Sequence, residues 1–321
     1  VAIYHRPEVT MEEFENTKQT LTARAQSSLS QSLKLAPAEL GRIWNNHPTT
    51  HWMYSPSYDE VIDDMTHWNY QDMKDSLSWI SKRGHVKLTM VGGLSNEELM
   101  KWIRAYQEEF ETEVIEHAPI KIAPFANHLS ANAPLVIQKG NAPNGMVLAK
   151  MPLPMSMHHP DAPTLNVAMC IFGGSGGMLT SRLWDSIREK EGLAYQVNGN
   201  LNWVATEHRS NIVLVSSCAT NTLDKVFNLM KDEWTKFVTD GVTQAELDNA
   251  KHYLMQLHES KIHEDSRYVN VLHNQNVSGM NYKAWAMFQH MEQLVTLDQV
   301  NQAIQTYFAG LPVQWVMATS E

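Results

Sequence analysis

Residues 165–203 read LNVAMCIFGGSGGMLTSRLWDSIREKEGLAYQVNGNLNW, and the reading of this stretch decides the fold. Leu165, Val167, Met169 and Ile171 alternate with Asn166, Ala168, Cys170 and Phe172. Nearly all of both faces is apolar, which predicts a largely buried strand. The run Gly173-Gly174-Ser175-Gly176-Gly177 breaks it and reads as a tight strand-to-helix bend. Leu179, Leu183 and Ile187 then recur at helical spacing until Gly192 stops the helix. Beyond the stop, Tyr195, Val197, Leu201 and Trp203 alternate with Gln196, Asn198, Asn200 and Asn202. That pattern predicts a half-buried strand with a polar face.

Working outward, residues 211–218 give another strand. Leu223, Val226, Phe227, Met230, Trp234 and Phe237 form one amphipathic helical stripe, closed by Gly241. The predicted class is α+β, a mostly antiparallel sheet with helices on one face. The same unit recurs earlier in the chain. Val9 to Lys18 aligns without a gap with Val242 to Lys251, and each copy opens with a capping box, Thr10 with Glu13 and Thr243 with Glu246. Farther on, a helix from Tyr70 leads to a predicted strand at Val86–Val91, as one from Leu297 leads to Val313–Met317. Four of the 13 prolines, Pro119, Pro124, Pro134 and Pro143, fall between the copies. The chain therefore divides into a shortened first repeat (1–117), an extended connector (118–145) and a complete second repeat (146–321). Val1 aligns with Trp234, deep in the second copy, so the chain reads as a fragment of a longer protein.

Composition removes several classes. The formal net charge is −10 with no Lys/Arg-rich run, which argues against a nucleic-acid groove. No apolar stretch is long enough to span a membrane, and Cys170 and Cys218 read as two buried free thiols. The zinc-peptidase patterns His-x-x-Glu-His and His-Glu-x-x-His are absent. Glu259 with His263, and the His158-His159 loop, are weak metal candidates beside a solvated-surface reading, so no metal is expected on this chain. The glycine run lacks the third glycine of a dinucleotide loop, the Lys-Ser/Thr of a Walker loop and the spacing of a nucleophile elbow.

What remains is Arg188, in the last turn of a helix, and Tyr195, just past the glycine stop. The two either converge at the helix–strand corner or serve the fold alone. In the second case the arginine suits a helix C-terminus and the tyrosine is a core residue.

The run Ser181-Arg182-Leu183, then Ile187-Arg188-Glu189-Lys190-Glu191-Gly192-Leu193-Ala194-Tyr195, resembles the insulinase/pitrilysin (inverzincin) family of zinc metallopeptidases. The Gly-rich turn before it and the Thr243 to Lys251 helix start agree. The resemblance implies repeated two-layer α/β domains paired into a clamshell. Zinc and His-x-x-Glu-His would sit in an N-terminal half, and this chain would be a C-terminal half that closes the chamber. Arg188 and Tyr195 match the pair that contacts bound peptide, with Gly173, Gly174, Ser175 and Gly176 beside the substrate. An exposed strand edge there would hold the peptide by β-augmentation. The implied partners are the zinc-bearing half, or a homologous subunit, and peptides, with a homo-oligomer possible. The chain alone is expected to be inactive, and family analogy points to the periplasm. Because the family also includes zinc-free subunits, a scaffold or regulatory role is the alternative.

Overall fold

The computed structural model describes residues 8–45, 47–51, 53–83, 88–109, 133–174, 178, 180–205 and 208–320. Helices come first: α1 (Met11–Leu29), α2 (Ser32–Ile43), α3 (Tyr58–His67), α4 (Tyr70–Arg83) and α5 (Asn96–Glu109). Next come β1 (Leu135–Gln138), β2 (Asn144–Leu153) and α6 (Ala162–Gly173), then a π-helix (Trp184–Lys190), β3 (Ala194–Asn202) and β4 (Ser210–Ala219). The chain ends with α7 (Leu223–Asp240), α8 (Gln244–Ser260), α9 (Asp265–Ser278), α10 (Tyr282–Leu294), α11 (Leu297–Tyr307) and β5 (Gln314–Thr319). The sheet order is β1-β5-β2-β4-β3; only β1 with β5 is parallel. The α+β class with a mostly antiparallel sheet is what the patterning predicts. No described helix is long and apolar enough to cross a membrane.

Local signals place several elements correctly. Leu223, Val226, Met230, Trp234 and Phe237 are the buried stripe of α7. Both capping boxes form, with Thr10 and Thr243 each accepting from the N3 backbone amide while the N3 glutamate reaches back. Alternate residues of β2 serve different layers. Val147, Ala149, Met151 and Leu153 join the main core with α6, α7, α8 and α11, whereas Leu148 faces the other way.

The expected strand at Leu165–Phe172 is instead helix α6. Every residue of it but Asn166 is buried. A segment apolar on both strand faces is equally apolar all round a helix, so periodicity does not discriminate. The decisive signals are Pro163 in the first turn and Gly174 at the C-cap, in left-handed geometry at φ 73°. Gly173 and Gly174 therefore close a helix, not a strand.

Three other expectations change. Val86 and Lys87 lie outside the described residues, and Leu88–Val91 forms no strand; no described strand lies beside it to complete a ladder. Of the connector 118–145, residues 118–132 are outside the described set, 135–138 are strand β1, and Asn144 and Gly145 open β2. Finally, helices occupy both faces. Ala36, Leu40 and Trp44 of the α2 region pack on Leu148, Val316 and Ala318, across the sheet from the main core.

Gly173 fixes how closely α6 approaches the sheet. A Cβ built there would stand 2.4 Å from the Gly199 Cα of β3, contact that backbone cannot relieve by rotating a side chain. Gly173→Ala is expected to cost about 3 kcal/mol, the upper end of overpacking. The readout is a lower urea midpoint at unchanged m.

Candidate functional site

The segment after the glycines is anchored before it reaches the candidate residues. Arg182 Nε and Nη2 donate to Glu246 Oε1 and Oε2 at 2.5 and 2.8 Å, and Nη2 also donates to the Gly241 carbonyl at 2.7 Å. The guanidinium lies over the Phe237 ring. The π-helix follows. Its wide turn brings residues five apart together, so Trp184 Nε1 donates to Glu189 Oε1 at 3.0 Å; in an α-helix these side chains diverge by about 140°. Arg188 stacks on Trp184, 4.2 Å from the ring centroid.

Arg188 then reaches across the corner. Its Nη1 donates to the Tyr195 carbonyl at 2.9 Å. Tyr195 is the extra residue of a β-bulge, since Ala194 pairs with Cys218 and Gln196 with Ser217. A bulge leaves its extra residue out of the ladder, and Arg188 supplies the missing donor. The bulge also resets the alternation that would bury Tyr195 with Val197. Tyr195 is 64% exposed and Val197 3%. The core-tyrosine reading fails, and Arg188 holds Tyr195's own backbone.

Gly173 and Gly174 are buried in the α6–β3 contact and the helix cap, so neither offers a surface to a ligand. Ser175 and Gly176 lie outside the described residues. The weak metal candidates do not converge: His158 Nε2 is 2.5 Å from the Ser278 carbonyl, and His159 stacks edge-on against Tyr307. Among the described residues no three His, Cys, Asp or Glu side chains stand where one metal ion could be held.

One polar network was not legible in advance. Glu292 is 1% exposed, accepts from Asn166 Nδ2 at 2.7 Å, and lies 2.8 Å from His258 Nε2. Gln289 Nε2 meets the other ring nitrogen of His258 at 3.1 Å. The available signal was Asn166, the one polar residue in an apolar run. His258 also lines a cavity of about 230 Å³ with Trp285 and Arg267.

The profile of the peptidase M16 inactive domain matches residues 67–254, more than half of the chain, with Arg182, Arg188, Tyr195 and Glu246 inside it. The chain belongs to that family. The non-peptidase homolog YmxG of Helicobacter pylori is 30% identical over 141 residues, 44% of this chain and 32% of that protein. The chain thus spans about a third of the length of that relative. A peptidase M16 inactive domain from Pseudomonas fluorescens superposes with TM-score 0.79 at 18% identity, over 99% of this chain and 73% of that one. The periplasmic protease PqqL of Escherichia coli superposes with TM-score 0.64 at 16% identity, over 95% of this chain and 33% of that one. At such identities the likeness is one of fold, and it is the insulinase/pitrilysin fold that the sequence resemblance implies.

The Arg182–Glu246 pair has a measurable signature. Burial pushes the Glu246 carboxyl up, but hydrogen bonds from Arg182 and Thr243 outweigh it and hold the group below its ordinary value of 4.5. The folded state therefore binds this proton more weakly than the unfolded chain. The resulting stability is complete above the ordinary value and lost as pH falls through the lowered one. Glu246→Gln is expected to cost about 2 kcal/mol at neutral pH, the scale of a charge-assisted hydrogen bond. In denaturant titrations its gap to wild type should narrow below pH 4.5.

Proposed function

We propose that this chain is the zinc-free, peptide-contacting C-terminal part of an M16 metallopeptidase, closing the chamber opposite a zinc-bearing half. The observation that carries this reading is Tyr195: a large side chain held out into solvent by a bulge that Arg188 stabilises, where simple alternation would bury it. Packing alone gives no reason for that arrangement.

In this reading zinc, bound by the other half, supplies the activated water. The Tyr195 hydroxyl donates to the scissile carbonyl oxygen as negative charge develops there. Arg188 is a positioning residue, because its guanidinium acts on the tyrosine's backbone. Partners are the zinc-bearing half, or a homologous subunit, and extended peptides, and the compartment the analogy suggests is the periplasm. With the chain assembled on its zinc-bearing half, Tyr195→Phe is expected to lower kcat by about 10²–10³, as for loss of one oxyanion donor, with KM little changed. Near-wild-type turnover refutes the role.

A scaffold reading is favoured by one observation, the relative named as a non-peptidase homolog. It predicts no turnover from the wild-type assembly at all. Both readings expect the purified chain to lose its zinc on dialysis into metal-free buffer, and stoichiometric retention overturns both.

A further inference from the structure

The helices that follow β4 enclose a space that neither Arg188 nor Tyr195 borders. A cavity of about 230 Å³ lies between α8, α9 and α10, with Met255, Val271, Tyr282, Trp285 and Ala286 as its apolar wall. That is below the roughly 300–1,000 Å³ of sites for drug-sized ligands, so it suits one small molecule. A second space of about 360 Å³ adjoins it, sharing His258, Arg267, Val271, Trp285 and Gln289. This second space is bordered by the exposed Lys261, Glu264 and Ser266 and forms the mouth.

The walls are held from behind. Trp285 packs against the small core cluster of Met157, Ala162, Met280 and Phe288. Tyr282 stacks on Tyr268, with ring centroids 5.8 Å apart. His258 turns no unoccupied ring nitrogen to the cavity, because Glu292 meets one and Gln289 the other.

The charged groups on these walls do not pair with one another. Arg267 Nη1 donates to the His258 carbonyl at 3.0 Å, and among the described residues the guanidinium makes no other hydrogen bond and no ion pair. Four further N–H donors remain on such a group. Glu259 borders the same cavity, and among the described residues its carboxylate makes neither a hydrogen bond nor an ion pair. A cation and an anion thus face one small, apolar-walled space without meeting across it. Lys261 and Glu264 repeat the mixed pair at the mouth, and His290 is the remaining titratable group, exposed at the rim. A ligand with a carboxylate alone would meet Glu259 as well as Arg267, and an amine alone would meet Arg267 as well as Glu259. A molecule that carries both charges close together satisfies both walls.

We propose that this cavity binds a free α-amino acid with a large apolar side chain. The carboxylate pairs with Arg267, whose planar fork matches it; the ammonium pairs with Glu259; the side chain lies against Trp285 and Tyr282. A residue inside a peptide carries neither charge, and a peptide terminus carries only one, so the site selects the free amino acid. The assignment is independent of the peptide-contact reading, since α8, α9 and α10 carry none of its residues.

The test titrates the full chain in a calorimeter with four compounds. These are L-phenylalanine, 3-phenylpropionate (no ammonium), phenethylamine (no carboxylate) and L-alanine (no ring). L-phenylalanine is expected to bind with Kd below about 1 mM, and each of the others about tenfold more weakly or worse. Glu259→Gln, an exposed change that breaks no described contact, should weaken L-phenylalanine about tenfold without weakening 3-phenylpropionate. Arg267→Met should weaken both of those and not phenethylamine, and a thermal melt checks that each variant is folded. Absence of saturable L-phenylalanine binding overturns the site. Either single-charge analogue binding as tightly as L-phenylalanine overturns the zwitterion assignment, and L-alanine binding as tightly overturns the apolar wall. An unchanged affinity in Glu259→Gln overturns the placement. None of these outcomes touches the role of Tyr195.

Discussion

The ion pair between Arg182 and Glu246 is the joint on which the corner carrying Arg188 and Tyr195 depends. One carboxylate does three things: it accepts two guanidinium bonds, completes the Thr243 capping box, and so fixes where α8 begins. The same guanidinium holds the Gly241 carbonyl, at the end of α7, and covers Phe237 in an aromatic cluster with Phe172, Trp234 and Phe308. The segment that carries Arg182 is thereby fixed against the α7–α8 junction, which lies far along the chain. The π-helix begins two residues after Arg182, so its position is inherited from this joint. Arg188 and Tyr195 inherit theirs in turn.

Much of this was legible because the signals are local. Capping boxes, the α7 stripe and the alternation in β4 each depend on residues within one or two turns of each other. The failures have a common cause. In α6, apolar residues surround the helix because other elements surround it, and no local pattern encodes that. The bulge at Tyr195 is one inserted residue, which leaves the alternation on either side intact and only shifts its phase. The seat of α2 across the sheet is set by Leu148, Val316 and Ala318, which come from strands far along the chain. Arg188 and Tyr195 were found by their spacing and family resemblance; that one holds the other's carbonyl is a product of the π-helix and bulge together.

The bulge carries a further consequence. The hydrophobic gain from tucking a tyrosine into the core is given up at Tyr195, and an arginine side chain is ordered to stabilise the exposed alternative. Trp184 stacked on that arginine restricts it further. A bulge on an edge strand also protects against unwanted strand pairing, but that purpose is served without a tyrosine or an arginine clamp. On the proposed reading, the elaboration serves whatever meets the tyrosine's side chain.

The polar groups inside the domain separate into two kinds by whether the protein itself completes them. Glu292 is almost wholly buried, and Asn166 and His258 occupy its oxygens while Gln289 occupies the far side of the imidazole. A network closed in this way ties α6, α8 and α10 together and needs nothing from outside. Lys150 is the opposite case, a charge drawn partly out of water and left beside another cation. Retaining such a group lowers the stability of the free chain, since a neutral side chain of similar length would sit there at smaller cost.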